Sequence, residues 1–330
     1  MKRILTLTLV VSLFTAASAL ASLDAAWTAS VDDEKPDRIY FNITHGKHFN
    51  NMGSTFRLSA FTGLSAAQVS AATMTPVQFA MNREAGTIAF EGTFRKGKGA
   101  GQIEFTPNPA FPDAVRRLGV EFDLGEDRRH RERDEDEWLF MLALNDVSTT
   151  FIRAMQAEGY KVSLEKYLTM RIFDITPEYI REMRSLGFKN ISADELVSSR
   201  IHKVTPEYVR ATRAAGWNLT LDQLQASRIH KATPEFHEEM RKLGYNLDFD
   251  DLVSFRIHRV TPEFIAELRK LGYDKLSADQ LVAMRIHRVT PEFIRELEAA
   301  GYKNVPVEKL VAMRIHKVDA KFMKSMSDAD

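Results

Sequence analysis

The feature that most constrains this chain is a tandem repeat. The arginine opening each Arg-Ile-His (or Arg-Ile-Phe) recurs at Arg171, Arg200, Arg228, Arg256, Arg285 and Arg314, at spacings of 29, 28, 28, 29 and 29 residues. A period held that tightly calls for an array of like supersecondary units, each packed on its neighbours. One unit runs Val260-Thr-Pro-Glu-Phe-Ile-Ala-Glu-Leu-Arg-Lys-Leu-Gly-Tyr273 and continues Leu276-Ser-Ala-Asp-Gln-Leu-Val-Ala-Met-Arg-Ile-His-Arg288.

Each unit carries two helix starts and one clear stop. Thr176, Thr205, Thr233, Thr261 and Thr290 have the N-cap residue type, each followed by a proline whose missing N–H costs nothing at the first helical position. Glu178, Glu207, Glu235, Glu263 and Glu292 then place negative charge in the first turn, where the helix dipole favours it. Ile175, Val204, Val260 and Val289 precede the caps and can staple onto Ile180, Val209, Ile265 and Ile294. Gly187, Gly216, Gly244, Gly272 and Gly301, like Gly159 before them, are each followed by an aromatic residue, the pattern of a left-handed helix stop with a hydrophobic fold-back. Ser192-Ala-Asp-Glu195, Thr220-Leu-Asp-Gln223 and Ser277-Ala-Asp-Gln280 read as capping boxes opening a second helix. Both helices come out at about 11 residues, too short to persist without neighbours. Inward stripes are expected at Phe264, Ile265, Leu268 and Leu271 in the first helix and at Leu281, Val282, Met284 and Ile286 in the second. About six such αα-hairpins of 28–29 residues make an α-solenoid over 147–326, closed by a half-repeat from Val318 to Met326.

Upstream the period changes from helical to two. Ile39, Phe41 and Ile43 alternate with Tyr40 and Asn42, as do Val77, Phe79 and Met81 with Gln78 and Ala80. Ile88, Phe90 and Phe94, then Ile103 and Phe105, continue the pattern, with turn-like Asn82 to Gly86 and Lys96 to Gly101 between the runs. This predicts a small antiparallel β domain over 24–107, with folding over as a sandwich one option. The fold class is therefore α+β in two parts. The glycines of 96–101 lack the Lys-Ser/Thr of a phosphate loop and lie between strands, so they read as a hairpin turn. Residues 108–146 align as a worn first repeat, interrupted by a run of both charges from Glu126 to Glu137 that reads as a solvated insertion.

The first 21 residues have the layout of a signal peptide. Met1-Lys-Arg is basic, Ile4 to Phe14 is apolar, and Ala17-Ser-Ala19 or Ala19-Leu-Ala21 supplies small residues for cleavage. The expected location is the periplasm or the extracellular space. No later stretch has the length of a membrane span. With no cysteine, the chain has neither disulfides nor thiol chemistry. Lys and Arg total 45 and Asp and Glu total 45, so no basic excess points to nucleic acid.

The candidate functional residues are two ladders. His202, His230, His258, His287 and His316 fall at equivalent places. Stacked helices lie about 8–10 Å apart, whereas ligands of one zinc ion lie within about 4 Å of each other, so these histidines cannot share a metal and are expected to cap last-turn carbonyls or pack between repeats. Arg200, Arg228, Arg256, Arg285 and Arg314 form the parallel ladder. They either bridge to first-turn glutamates of a neighbouring repeat or present planar donors to an acidic peptide. His237-Glu-Glu-Met-Arg241 falls short of a zinc-protease His-Glu-x-x-His, because its second histidine is an arginine. No catalytic constellation and no cofactor motif emerges. The motif Arg-Ile-His-x-Val-Thr-Pro-Glu-Phe-Ile, with Leu-Gly-Tyr between copies and a β segment before it, resembles a repeat of exported bacterial proteins that often accompany membrane metallopeptidases of the β-lactamase-regulator type. The resemblance implies a non-enzymatic partner module binding a protein or peptide, or a regulatory partner of such a peptidase.

Overall fold

A computed structural model describes residues 25–32, 34–45, 49–122 and 135–327; the expected signal peptide, most of the charged insertion and the last three residues lie outside them. The chain divides into two compact units between Ile172 and Phe173.

The first unit opens with six strands, β1 (Ala25–Asp32), β2 (Lys35–His45), β3 (Phe49–Arg57), β4 (Thr75–Arg83), β5 (Gly86–Arg95) and β6 (Lys98–Pro107). All neighbours are antiparallel, in the order β3-β2-β1-β6-β5-β4. The β4-β5-β6 meander follows the period-two pattern, with Val77, Phe79, Met81, Ile88, Phe90, Phe94, Ile103 and Phe105 buried. The sandwich option is not what forms. β2 and β4 are four strand spacings apart, about 19 Å in a flat sheet, yet the Phe41 and Phe79 ring centroids are 6.2 Å apart. One sheet curls until its own aromatic side chains meet, with Phe79 and Phe90 stacked at 4.7 Å and Trp27 at 5.4 Å from both Phe41 and Phe94. After β3, Thr62 bridges to Ala80 on the far edge strand.

Glycine makes the curl possible at one point. Gly92 and Gly101 face each other across β5 and β6, and the Trp27 ring lies over them with its Nε1–H donated to the Gln102 carbonyl at 3.1 Å. A methyl group on Gly92 would sit 2.7 Å from Trp27 Cζ2 and press on the Ala100 carbonyl. Short helices complete the unit: α1 (Ala66–Ser70), then α2 (Phe111–Arg116) and α3 (Glu135–Leu144), the two helices of the worn repeat. Every residue of α3 from Trp138 to Leu144 is buried. It packs on β4, β5 and β6, with Phe140 edge-on to Phe105 at 5.4 Å. The regular hairpin α4 (Thr149–Ala157) and α5 (Leu164–Ile172) belongs to this unit as well. Thr149 N–H donates to the Glu84 carboxylate at 2.8 Å, and Arg171 pairs with Asp146 at 2.8 Å.

The second unit holds five more hairpins and a last helix. They are α6 (Pro177–Ser185) with α7 (Ala193–Ile201), α8 (Pro206–Ala214) with α9 (Leu221–His230), α10 (Pro234–Lys242) with α11 (Phe249–Ile257), α12 (Pro262–Lys270) with α13 (Ala278–Ile286), α14 (Pro291–Ala299) with α15 (Val307–Ile315), and finally α16 (Ala320–Ser327). Second helices stack on one another in sequence from α7 to α15, and first helices stack likewise, α6 on α8 and α12 on α14. Most helices span nine residues, two fewer than the sequence suggested, because both ends are closed by tight caps. All five threonine N-caps accept from the N3 backbone, as Thr261 does from Phe264 at 3.3 Å. The three capping boxes are all reciprocal.

First helices end as expected. Gly187, Gly216, Gly244, Gly272 and Gly301 have φ between 86° and 94°. In each case the aromatic that follows bonds back into the helix, as Tyr245 N–H does to the Met240 carbonyl at 3.0 Å. The core of repeats three to five joins Phe236, Met240, Leu252, Phe255, Phe264, Leu268, Leu281 and Met284. Ile286 is a correction: it is not part of the inward stripe but 51% exposed.

Candidate functional site

The arginine ladder is built into the scaffold. Each guanidinium lies over the aromatic ring at N3 of its own repeat's first helix: Arg200 over Tyr179 at 4.2 Å, Arg228 over Tyr208 at 4.6 Å, Arg256 over Phe236 at 4.5 Å, Arg285 over Phe264 at 4.8 Å and Arg314 over Phe293 at 4.9 Å. The same side chains reach into the preceding repeat. Nε–H of Arg228, Arg256 and Arg285 donates to the carbonyls of His202, His230 and His258 at 3.4, 3.3 and 3.1 Å. Arg200 instead meets the Asp174 carbonyl at 3.2 Å and its carboxylate at 3.0 Å. Arg228, Arg256 and Arg285 therefore satisfy helix-end carbonyls that have no intrahelical partner, whereas Arg314 Nε is buried without a hydrogen-bond partner among the described residues. The bridge to first-turn glutamates is not formed. Those glutamates turn back on their own helices: backbone N–H donation and the Thr261 hydroxyl hold the Glu263 carboxyl below its ordinary range. Besides Arg200 with Asp174, ion pairs across repeats run from Arg210 to Glu182 and from Arg295 to Glu267.

The histidine ladder is in register as the sequence indicated, but its side chains do not cap carbonyls. His202, His258, His287 and His316 are themselves the C-cap residues, tied by their backbone N–H groups, as His202 is to Ser198 at 2.9 Å. His230 closes α9 one residue earlier in the count. His237, outside the ladder, bonds through Nε2 to the Leu247 carbonyl at 3.2 Å and sits edge-on to Trp217 at 5.6 Å, a packing duty.

Two further rows lie on the same register, and neither was read from the sequence. The isoleucine of every Arg-Ile-His is half exposed: Ile201 50%, Ile229 51%, Ile257 51%, Ile286 51% and Ile315 53%. An isolated exposed isoleucine needs no explanation, whereas one repeated at each rung marks a surface. Two residues on, Lys203, Lys231, Arg259, Arg288 and Lys317 are exposed and adopt left-handed φ of 55–57°. They complete the same stop that glycine completes on the first helices, with Val204 N–H bonded to the Ser199 carbonyl at 2.7 Å. A side chain in this conformation costs roughly 1–2 kcal/mol, and a cation at a helix C-terminus returns about 0.3–1 kcal/mol. Stability thus gives no preference for lysine or arginine over glycine there.

The described residues hold no cluster of His, Asp or Glu able to bind a metal ion, and no helix long and apolar enough to cross a membrane. A recess of about 520 Å³ on the sheet brings together Thr62, Gln78, Glu91, Gln102 and Glu104, with no histidine or lysine to activate a nucleophile. Comparison with protein families, with curated proteins and with solved structures found no match to this chain.

Proposed function

We propose that the protein is an exported, non-enzymatic interaction module whose helical repeats bind a protein or peptide. The observation that carries this reading is the row of half-exposed isoleucines, one per repeat, on second helices stacked in register. Repeat scaffolds use such regular faces as extended binding surfaces, and the arginines beneath are already committed to holding the rungs together. The ladders of Arg and His thus act as framework for the surface rather than as its contacts.

The resemblance of the Arg-Ile-His-x-Val-Thr-Pro-Glu-Phe-Ile motif suggests an envelope metallopeptidase as partner, which would make the module regulatory. Both readings are tested by pull-down from envelope extract with the mature chain and with a variant carrying serine at Ile201, Ile229, Ile257, Ile286 and Ile315. A membrane peptidase recovered by the first and lost by the second supports the regulatory role, and a soluble partner behaving so supports a general binder. Equal recovery by both proteins would remove the isoleucine row from the account.

A further inference from the structure

Resting on that reading, we infer that the surface selects an extended acidic peptide whose apolar residues recur at every third position. The first observation is contiguity. Nε–H groups of Arg228, Arg256 and Arg285 join the second-helix end of one repeat to the preceding one at 3.1–3.4 Å, so the Ile-His-Lys/Arg tripeptides of the first four rungs lie side by side, and α15 stacks on α13 to add the fifth. The second is charge. Lys203, Lys231, Arg259, Arg288 and Lys317 are all exposed, and no ion pair among the described residues involves any of them.

Of the glutamates closest in sequence, Glu207 and Glu292 are paired with Arg210 and Arg295 at 3.6 and 3.2 Å, whereas Glu235 and Glu263 are kept ionised by hydrogen bonds from the caps of their own helices. The third observation is conformational. First helices stop on glycine and second helices never do, although both stops use the same left-handed turn. Asp146 and Asp174 take this stop in the two repeats before, and Lys or Arg takes it in the five that follow, so five cations in succession are held where glycine would be unstrained, which points to a role for the side chain itself.

The alternation of one apolar and one cationic group per rung defines the ligand. Rungs repeat at about 8–10 Å and an extended chain advances about 3.3 Å per residue, so one rung matches about three residues. The complementary sequence places a leucine or isoleucine at one position of each triplet and an aspartate or glutamate beside it. Five rungs take about 13 residues on the same spacing. Main-chain geometry of this kind suits an extended or disordered segment of an acidic partner rather than a folded surface.

The experiment uses the mature chain and three fluorescent 14-residue peptides built on Leu-Xaa-Xaa triplets, with Glu, Gln or Lys at one Xaa. Polarisation titrations at low and at physiological salt read the affinities. A second protein carries glycine at Lys203, Lys231, Arg259, Arg288 and Lys317, a change that relieves the left-handed residues and leaves the fold intact. The Glu peptide should bind wild type at least tenfold more tightly than the Gln peptide, and the glycine variant should lose that advantage while melting no lower than wild type. Equal binding of the Glu and Gln peptides, or an undiminished preference in the glycine variant, would overturn the acidic selection while leaving a repeat-based binder standing. Failure of all three peptides to bind, with the isoleucine-to-serine variant still recovering its partner, would defeat the isoleucine surface itself.

Discussion

Replacing Arg285 by methionine tests whether the arginine ladder is framework. The substitution keeps the aliphatic stem and removes the guanidinium that spans two repeats. Two interactions go: the ring contact with Phe264 at 4.8 Å, and the bond to the His258 carbonyl at 3.1 Å. A cation over an aromatic ring at a partly buried site contributes about 0.5–2 kcal/mol, and a hydrogen bond from a charged donor about 1.5–3 kcal/mol. The two share one group and do not add fully, so the expected loss is about 2–3 kcal/mol. For a unit of this size each kcal/mol lowers the melting temperature by roughly 2–4 °C, giving about 4–12 °C in all. Arg256 makes the equivalent pair of contacts with Phe236 and His230 and shares no partner with Arg285. The double variant Arg256→Met/Arg285→Met should therefore fall stepwise, within about 0.5 kcal/mol of the sum. Arg285→Lys should recover little, since an ammonium lacks the planar fork. Thermal and urea denaturation followed by circular dichroism, with hydrogen exchange at the Val289 amide, measure this. A double variant as stable as wild type would mean that these arginines are free for another task and that the assignment is mistaken.

Other perturbations reach different parts of the structure. Gly92→Ala drives a methyl group against Trp27 and the Ala100 carbonyl; backbone cannot yield as a side chain can, so a loss above about 3 kcal/mol is expected, read from Trp27 fluorescence, and a native-like melting curve would contradict the packing described. Asp251 sits at N3 of α11, where α7, α9 and α13 have Glu195, Gln223 and Gln280; burial and then Asp248 raise its carboxyl above the ordinary range. Asp251→Gln removes that charge and can close a capping box, adding roughly 0.5–1 kcal/mol at neutral pH, whereas a loss of stability would speak against it. The first-turn glutamates titrate the other way. Glu178, Glu207, Glu263 and Glu292 are lowered from 4.5 in the fold, by their own backbone N–H first and the cap threonine next. Their contribution is present above the unfolded value and is lost as pH falls through the folded one, so repeat stability should decline below about pH 4.5; a flat profile from pH 5 to 3 would contradict it.

The parts of this fold legible in sequence are those set by neighbours in the chain. Thr261, Pro262 and Glu263 announce a helix start because the cap, the missing N–H and the first-turn charge all act within one turn. Gly272 with Tyr273 announces its end for the same reason. The β4-β5-β6 hairpins were readable through turn residues and alternation, whereas β1 pairs with β6 some seventy residues away and is made of small residues around Trp27. Curling of one sheet follows from aromatic contacts between strands that no local pattern reports. Ile286 was misplaced for a different reason. At about 100° per residue, it lies two residues and about 200° beyond buried Met284, so strict helical phase already turns it outward. The left-handed Lys and Arg residues were silent because the residue type carries no sign of that conformation.

The central claim, that the repeats form a scaffold presenting its outer isoleucine row to a partner, is tested most directly by methyl NMR. Isoleucine δ1-methyl spectra of the protein, recorded with increasing Glu-triplet peptide, separate the half-exposed residues from buried ones such as Ile180, Ile265 and Ile294. The account predicts saturable shifts at Ile201, Ile229, Ile257, Ile286 and Ile315. Binding that leaves these five methyls unmoved and shifts those of Ile39, Ile43, Ile88 or Ile103 would place the site on the sheet and contradict it.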